Sequence, residues 1–297
     1  MVSAGSVTDA VGRDSGPTRR EVFQFDAFAL YVPARVATAR GLILALGGPD
    51  TRAFITGGPT GAPSSELEAS LHTLGEDLRK LAANQGLALL GTAQSALPDG
   101  PDSDRLLLEA VRAAAVESGR PELASLSVLL YGISSGGPQA AGFAARNPER
   151  TAGLVLNGPV SVRAVTSGNA VRVPTCLLLA ELDTVVDNVA LTEAFEVSRG
   201  AGALWTLAVE PGVPHHSLSP AERRLTLEWL RAAAALRLPE TSPGPLRDIA
   251  ESSGWLGNRA TGEAAPWATY PGVRNLASWL PSQGTAEDWR AFLKPRS

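Results

Sequence analysis

The feature that most restricts the fold is a rhythm of short, uninterrupted apolar runs separated by amphipathic stretches. GLILALGG (41–48), LALLG (87–91), SLSVLLYG (125–132), GLVLNGP (153–159), PTCLLLA (174–180) and LWTLAVE (204–210) have strand length, and glycine or proline punctuates most of them. Runs of this kind suit strands buried on both faces. Between them, residues 64–84 carry Leu67, Leu71, Leu74, Leu78 and Leu81 at helical spacing, led in by two serines suited to capping. Helices are likewise expected over 103–119, 136–147, 190–200 and 219–236, and FQFDAFALYVP, ending at Pro33, reads as one further strand. Strand–helix alternation at this pitch specifies an α/β fold, a mostly parallel central sheet with helices on both faces.

The two ends differ from this pattern. Residues 1–20 are polar and aperiodic, and a disordered N-terminal segment is expected there. The main domain is assigned to 21–238. PETSPGP (239–245) breaks the pattern, and the extension 239–297 has no clear period. It nevertheless holds four of the six tryptophans (Trp255, Trp267, Trp279 and Trp289). A disordered tail would be poor in aromatics, so the extension is expected to pack on the core, as a wrap over an apolar flank or as a wall of the functional site.

Composition removes several classes of function. One cysteine, Cys176, excludes an intramolecular disulfide and a cysteine-clustered zinc site. A net charge of −4 offers no basic footprint for nucleic acid. No run approaches the roughly 18 apolar residues of a membrane span. The first twenty residues lack the roughly 7–15-residue apolar core of a secretory signal, so the expected location is cytoplasmic. Neither lysine, Lys80 nor Lys294, sits in an apolar setting suited to Schiff-base chemistry, and no G-x-x-x-x-G-K-[ST] loop occurs.

What remains is a nucleophile motif. Gly132-Ile133-Ser134-Ser135-Gly136 fits G-x-S-x-G and falls between an apolar run and a helix, where the chain must turn sharply enough to lift a serine above the sheet edge. Ser135 is excluded as the motif's serine because Ile133, not glycine, lies two residues before it. A serine hydroxyl needs a base, and imidazole is the group that works at neutral pH. Of the three histidines, His72 lies within a polar helical stretch, whereas His215 and His216 lie in the Gly/Pro-rich loop PGVPHHSLSP. Adjacent residues cannot both point inward; His215 is assigned as the base and His216 is the alternative. Asp183, just past the run PTCLLLA, is the carboxylate expected to orient the ring, while Asp187 is better placed to cap the following helix. For the oxyanion, the Ser135 amide is one donor, and the Gly48 amide in Leu46-Gly47-Gly48-Pro49 is the other, since Pro49 has no N–H.

The chain order Ser134, Asp183, His215 resembles that of the α/β-hydrolase superfamily. The resemblance runs over about residues 21–238 and is carried by LALGGP, YGISSGGPQAAGFAARNPER, VPTCLLLAELD and PGVPHHS. Only a dozen or so residues separate GLVLNGP from VPTCLLL, too few for a separate cap domain. The chain therefore resembles the uncapped serine esterases, the dienelactone-hydrolase, feruloyl-esterase and polyhydroxybutyrate-depolymerase-like branch. It departs from the family in having Leu46 where histidine is usual, and Ile133 beside the serine. The resemblance implies cleavage of a carboxylic ester or thioester through an acyl-enzyme, with no metal or organic cofactor. It implies a small-molecule acyl substrate as partner, with no nucleic acid or membrane; a homo-oligomer is compatible with it. Two other readings use the same scaffold: an acyltransferase, cyclase or lyase with the same triad, and a ligand-binding protein.

Overall fold

The apolar runs form one eight-stranded sheet in the computed structural model, which describes residues 21–25, 27–56, 65–93, 97–98, 100–215, 217–240 and 244–295. The segment 1–20 and His216 lie outside the described residues. The strands are β1 (Val22–Phe25), β2 (Phe28–Tyr31), β3 (Gly41–Gly47), β4 (Leu87–Thr92), β5 (Val128–Ile133), β6 (Thr151–Asn157), β7 (Thr175–Ala180) and β8 (Trp205–Glu210). Their order is β1-β2-β4-β3-β5-β6-β7-β8. β1 and β2 join antiparallel, and every neighbouring pair from β4 to β8 is parallel.

The alternating side chains of each strand feed two core layers. Along β3, Leu42, Leu44 and Leu46 face the layer closed by α3 (Pro101–Glu117), α4 (Gly136–Arg146) and α5 (Asn188–Gly200). Ile43 and Ala45 face the layer closed by α2 (Glu66–Gln85), which follows a short helix, α1 (Ala53–Thr56), and by α6 (Pro220–Arg237). Every residue of β3 through β7 is buried, as expected of strands covered on both sides. Caps define the helix ends. The Ser65 hydroxyl accepts the Glu68 amide at 3.1 Å, and the Asp187 carboxylate accepts the Val189 and Ala190 amides at 3.1 and 3.0 Å, the capping role expected of it.

The first strand departs from expectation. Residues 22–31 are a hairpin, with Phe25 opposite Phe28. The apolar positions change parity in the text, from Phe23 and Phe25 to Phe28 and Leu30, and a single strand cannot keep both sets on one face.

The extension adds a three-stranded sheet, β9 (Trp255–Gly257), β10 (Ala264–Pro266) and β11 (Ser278–Leu280), in the order β10-β9-β11, followed by α7 (Gln283–Phe292). It covers β8, which would otherwise be an open sheet edge. The Ser278 hydroxyl donates to the Leu207 carbonyl at 3.0 Å and accepts the Leu207 amide at 3.1 Å. The Trp289 indole N–H donates to the same carbonyl at 2.8 Å. Arg199, fully buried on α5, donates to the carbonyls of Ala277 (2.7 Å) and Arg274 (2.8 Å) and to Glu251 (2.6 Å). The extension is thus a wrap over the β8 flank. A cleft of about 680 Å³ separates Glu181, Val209 and Pro211 of the core from Arg259, Tyr270 and Val273 of the extension, and Ser134, Asp183 and His215 are absent from its lining. Trp289→Ala should remove about 3–5 kcal/mol of unfolding free energy, the usual cost of emptying a buried tryptophan site. Guanidinium unfolding of the full chain measures this, and a loss below about 1 kcal/mol would show that the wrap adds little to core stability.

Candidate active site

Parallel strands bring their C-terminal ends to one rim, and the loops after β5, β6, β7 and β8 meet there. Ser134 occupies the turn between β5 and α4 with φ +52°, a left-handed conformation that a non-glycine residue adopts only under constraint. The constraint is visible in the backbone. The Ser134 amide donates to the Asn157 carbonyl at 2.9 Å, and the Ser134 carbonyl accepts the Gly137 amide at 2.9 Å. The flanking glycines are sterically required: a Cβ on Gly136 would collide with the Leu46 carbonyl, and one on Gly132 would come within 2.9 Å of the Ala140 methyl.

The Ser134 hydroxyl lies 3.1 Å from Nε2 of His215, and Nδ1 of His215 lies 2.5 Å from Oδ2 of Asp183. The second Asp183 oxygen accepts the amides of Val185 (2.7 Å) and Val186 (3.2 Å). Burial pushes the Asp183 carboxyl up, but hydrogen bonds from His215 and from these two amides outweigh it and hold the group below the ordinary carboxylate value. An ionised carboxylate only accepts, so Nδ1 carries the ring proton and donates, leaving Nε2 to accept from the serine. Three residues separated by 32 and 81 positions along the chain therefore form one continuous hydrogen-bond chain.

The expected oxyanion donors differ from one another. The Ser135 amide, at the N-terminus of α4, takes no backbone acceptor among the described residues. Gly48 lies against the Ser134–Ser135 turn, where an added Cβ would come within 3.2 Å of the Ser135 hydroxyl and 3.7 Å of the Ser134 Cβ. Its amide, however, donates to the Ile133 carbonyl at 3.2 Å, continuing the β3–β5 ladder one residue past β3. The donor assigned to Gly48 is thus already engaged, a correction to the assignment from sequence: parallel pairing reaches one position further than the LGGP turn suggests.

One residue of the site escaped sequence reasoning. Gly158, after β6, has φ +48°, and a Cβ there would come within 3.1 Å of the His215 ring and 3.6 Å of Asp183 Oδ2. Glycine clears the floor on which the His215–Asp183 pair rests. The available signal was the Asn157-Gly158-Pro159 triplet closing a strand. Val160, Leu182 and Val185, on the loops after β6 and β7, are exposed apolar side chains around this rim. Among the described residues no cluster of three or more His, Cys, Asp or Glu is arranged to hold a metal, and no helix is long and apolar enough to cross a membrane.

No protein-family model matches the chain, and no curated protein matches it. Among solved structures it is similar to the S-formylglutathione hydrolase of Agrobacterium tumefaciens (16% identity, 71% of this chain, 92% of that one, TM-score 0.46). It is similar also to the acetyl xylan esterase of Aspergillus awamori (14%, 68% and 93%, TM-score 0.46) and the monoacylglycerol lipase of Paleococcus ferrophilus (13%, 72% and 100%, TM-score 0.45). The sheet order, the strained serine between β5 and α4, and the acid and histidine on the loops after β7 and β8 give this chain the α/β-hydrolase fold that its sequence resembles.

Proposed function

We propose that the protein is an esterase-type serine hydrolase that cleaves carboxylic esters or thioesters through an acyl-enzyme. The observation that carries this reading is the chain Ser134 Oγ, His215 Nε2, His215 Nδ1, Asp183 Oδ2, with separations of 3.1 and 2.5 Å at its two hydrogen bonds. Ser134 Oγ attacks the carbonyl carbon as His215 Nε2 takes the hydroxyl proton, and Asp183 stabilises the resulting imidazolium. The oxygen that becomes negative is met by the Ser135 amide and the N-terminus of α4. Collapse of the tetrahedral intermediate breaks the bond to the leaving alcohol or thiol, which receives the proton from His215. Water then attacks the acyl-enzyme while giving its proton to the same nitrogen, and cleavage of the Ser134 ester releases the acid and restores the hydroxyl.

The exposed apolar residues Val160, Leu182 and Val185 favour a substrate with an apolar acyl or alkyl portion lying across an uncovered site. Buried Cys176, its thiol pushed well up by burial, is not a competing nucleophile. The test is labelling by a fluorophosphonate probe followed by intact mass and peptide mapping, run beside hydrolysis of p-nitrophenyl esters of graded chain length. A single adduct on Ser134 together with turnover supports the reading, and the absence of both overturns it. Release of a trapped acyl group by an added alcohol or amine rather than by water would move the protein to the acyltransferases.

A further inference from the structure

The loop that carries His215 is anchored at a site the reaction itself does not use. Two residues beyond the histidine, the Ser217 hydroxyl lies 2.8 Å from Oε2 of Glu210, the last residue of β8, and 3.1 Å from Oε2 of Glu222, in the first turn of α6. Both glutamates are buried, at 3% and 4% exposure. A hydroxyl has one hydrogen and can donate to only one of two carboxylates. The second contact becomes a hydrogen bond only when that carboxyl is itself protonated and donates to the serine oxygen. Two ionised carboxylates there would leave one lone pair facing another, in a place where unpaired charge is costly.

Burial and the adjacent Glu210 charge make Glu222 the proton's holder, against donors that favour its ionised form. Its other oxygen accepts the Asn157 side-chain amide, which also reaches the Tyr131 hydroxyl at 3.4 Å. Its carboxyl also accepts the backbone amide of Leu218, whose φ of +41° is the other non-glycine left-handed conformation among the described residues. Among the described residues, the titratable groups facing Glu222 are Glu210 from β8 and Tyr131 from β5; His215 lies along the same loop with its Nδ1 on Asp183. Arg223, next on α6, is turned to the Leu218 carbonyl at 2.7 Å. Burial, and then the charge of Glu210, push the Glu222 carboxyl up to about 7.

We infer that Glu222 is a positioning residue for His215, its protonated carboxyl closing a Glu222–Ser217–Glu210 hydrogen-bond chain that fixes the histidine loop. The inference rests on the esterase reading for its catalytic consequence, and on the hydrogen count at Ser217 for its structural one. Asn157 ties the same network to the nucleophile, since its carbonyl receives the Ser134 amide. When Glu222 ionises, one link of the chain opens, the strained turn at Leu218 is released, and the imidazole leaves its place between Ser134 and Asp183. Activity should then fall on the alkaline side, whereas a simple histidine base gives a plateau there.

The experiment measures kcat and KM for p-nitrophenyl acetate from about pH 5.5 to 9 on the full chain, with Ser134→Ala as the blank for spontaneous hydrolysis. The low-field Nδ1 proton of His215 is followed by NMR over the same range. The parent should lose kcat roughly tenfold between about pH 7.5 and 8.5, with KM little changed, as the slope of a single required proton dictates. The His215 signal should fade in step. Glu222→Gln cannot ionise and its amide donates to Ser217, so both changes should disappear. Glu210→Gln, which leaves one charge for one hydroxyl, should also remove them and serves if the first variant folds poorly. A parent without the falling limb, or an amide variant that keeps it, overturns the inference. Absence of turnover and of Ser134 labelling at every pH overturns the esterase reading alone, and the NMR comparison then decides whether Glu222 holds the loop.

Discussion

Replacing Ser134 by alanine is expected to lower kcat/KM on every cleaved ester by roughly 10³-fold or more, with kcat carrying the loss. The substitution deletes one oxygen and leaves His215 bonded to Asp183, the Ser135 amide and the apolar rim as they are. On the proposed reading the substrate lies across the apolar rim, which the substitution does not touch, so KM should stay close to the parent value. What is lost is the covalent intermediate, so the fluorophosphonate adduct and the acyl-enzyme mass shift should vanish together with turnover. The strained backbone at position 134, φ +52°, is held by the Asn157 carbonyl and the Gly137 amide rather than by the hydroxyl, so the melting temperature should move little. Steady-state kinetics, intact mass and a thermal melt on the same preparation separate these effects. An alanine variant as fast as the parent would end the assignment of Ser134 as nucleophile.

The parts of this molecule legible in its sequence are those governed by local rules. The apolar runs that became β3 to β8 announce burial on both faces, and Gly132 and Gly136 announce a turn with no room for Cβ atoms. Ser134, Asp183 and His215, which the fold brings within hydrogen-bond reach of one another, each follow such a run in the sequence. The unread parts are set by contacts between distant segments. Gly48 looked like an available donor because nothing local shows that β3 pairs one residue further along β5 and takes the amide for the Ile133 carbonyl. Gly158 looked like an ordinary strand end because its closeness to His215 depends on two loops 57 residues apart in number. The extension's short strands gave no period because three-residue strands are too short to show one, and β11 meets the core through Ser278 and β8 rather than through a ladder. Glu210 ends a strand and Glu222 lies in the first turn of a helix, with nothing local to link them; only the folded rim brings both to Ser217.

Asp183→Asn should cost roughly 10⁴-fold in kcat while leaving the geometry nearly intact, because it reverses the ring's tautomer. The backbone dictates how the new amide must sit. Oδ1 of Asp183 accepts from both Val185 and Val186, so the asparagine carbonyl takes that place and its amino group faces Nδ1 of His215. An amino group donates only, so Nδ1 must become the acceptor and the ring proton moves to Nε2, where it blocks uptake of the Ser134 proton. The parent's dependence on pH has the opposite sign to that of Glu222. With its folded value held below the ordinary carboxylate range, Asp183 contributes stability that is complete above that range and is lost as pH falls through the folded value. The stability gap between parent and Asp183→Asn should therefore be widest near neutral pH and close in strong acid. Thermal melts at about pH 7 and about pH 3 measure that gap. A gap that does not narrow in acid would mean that the carboxylate's hydrogen bonds to His215, Val185 and Val186 do not depend on its charge, and the tautomer argument would fall with it.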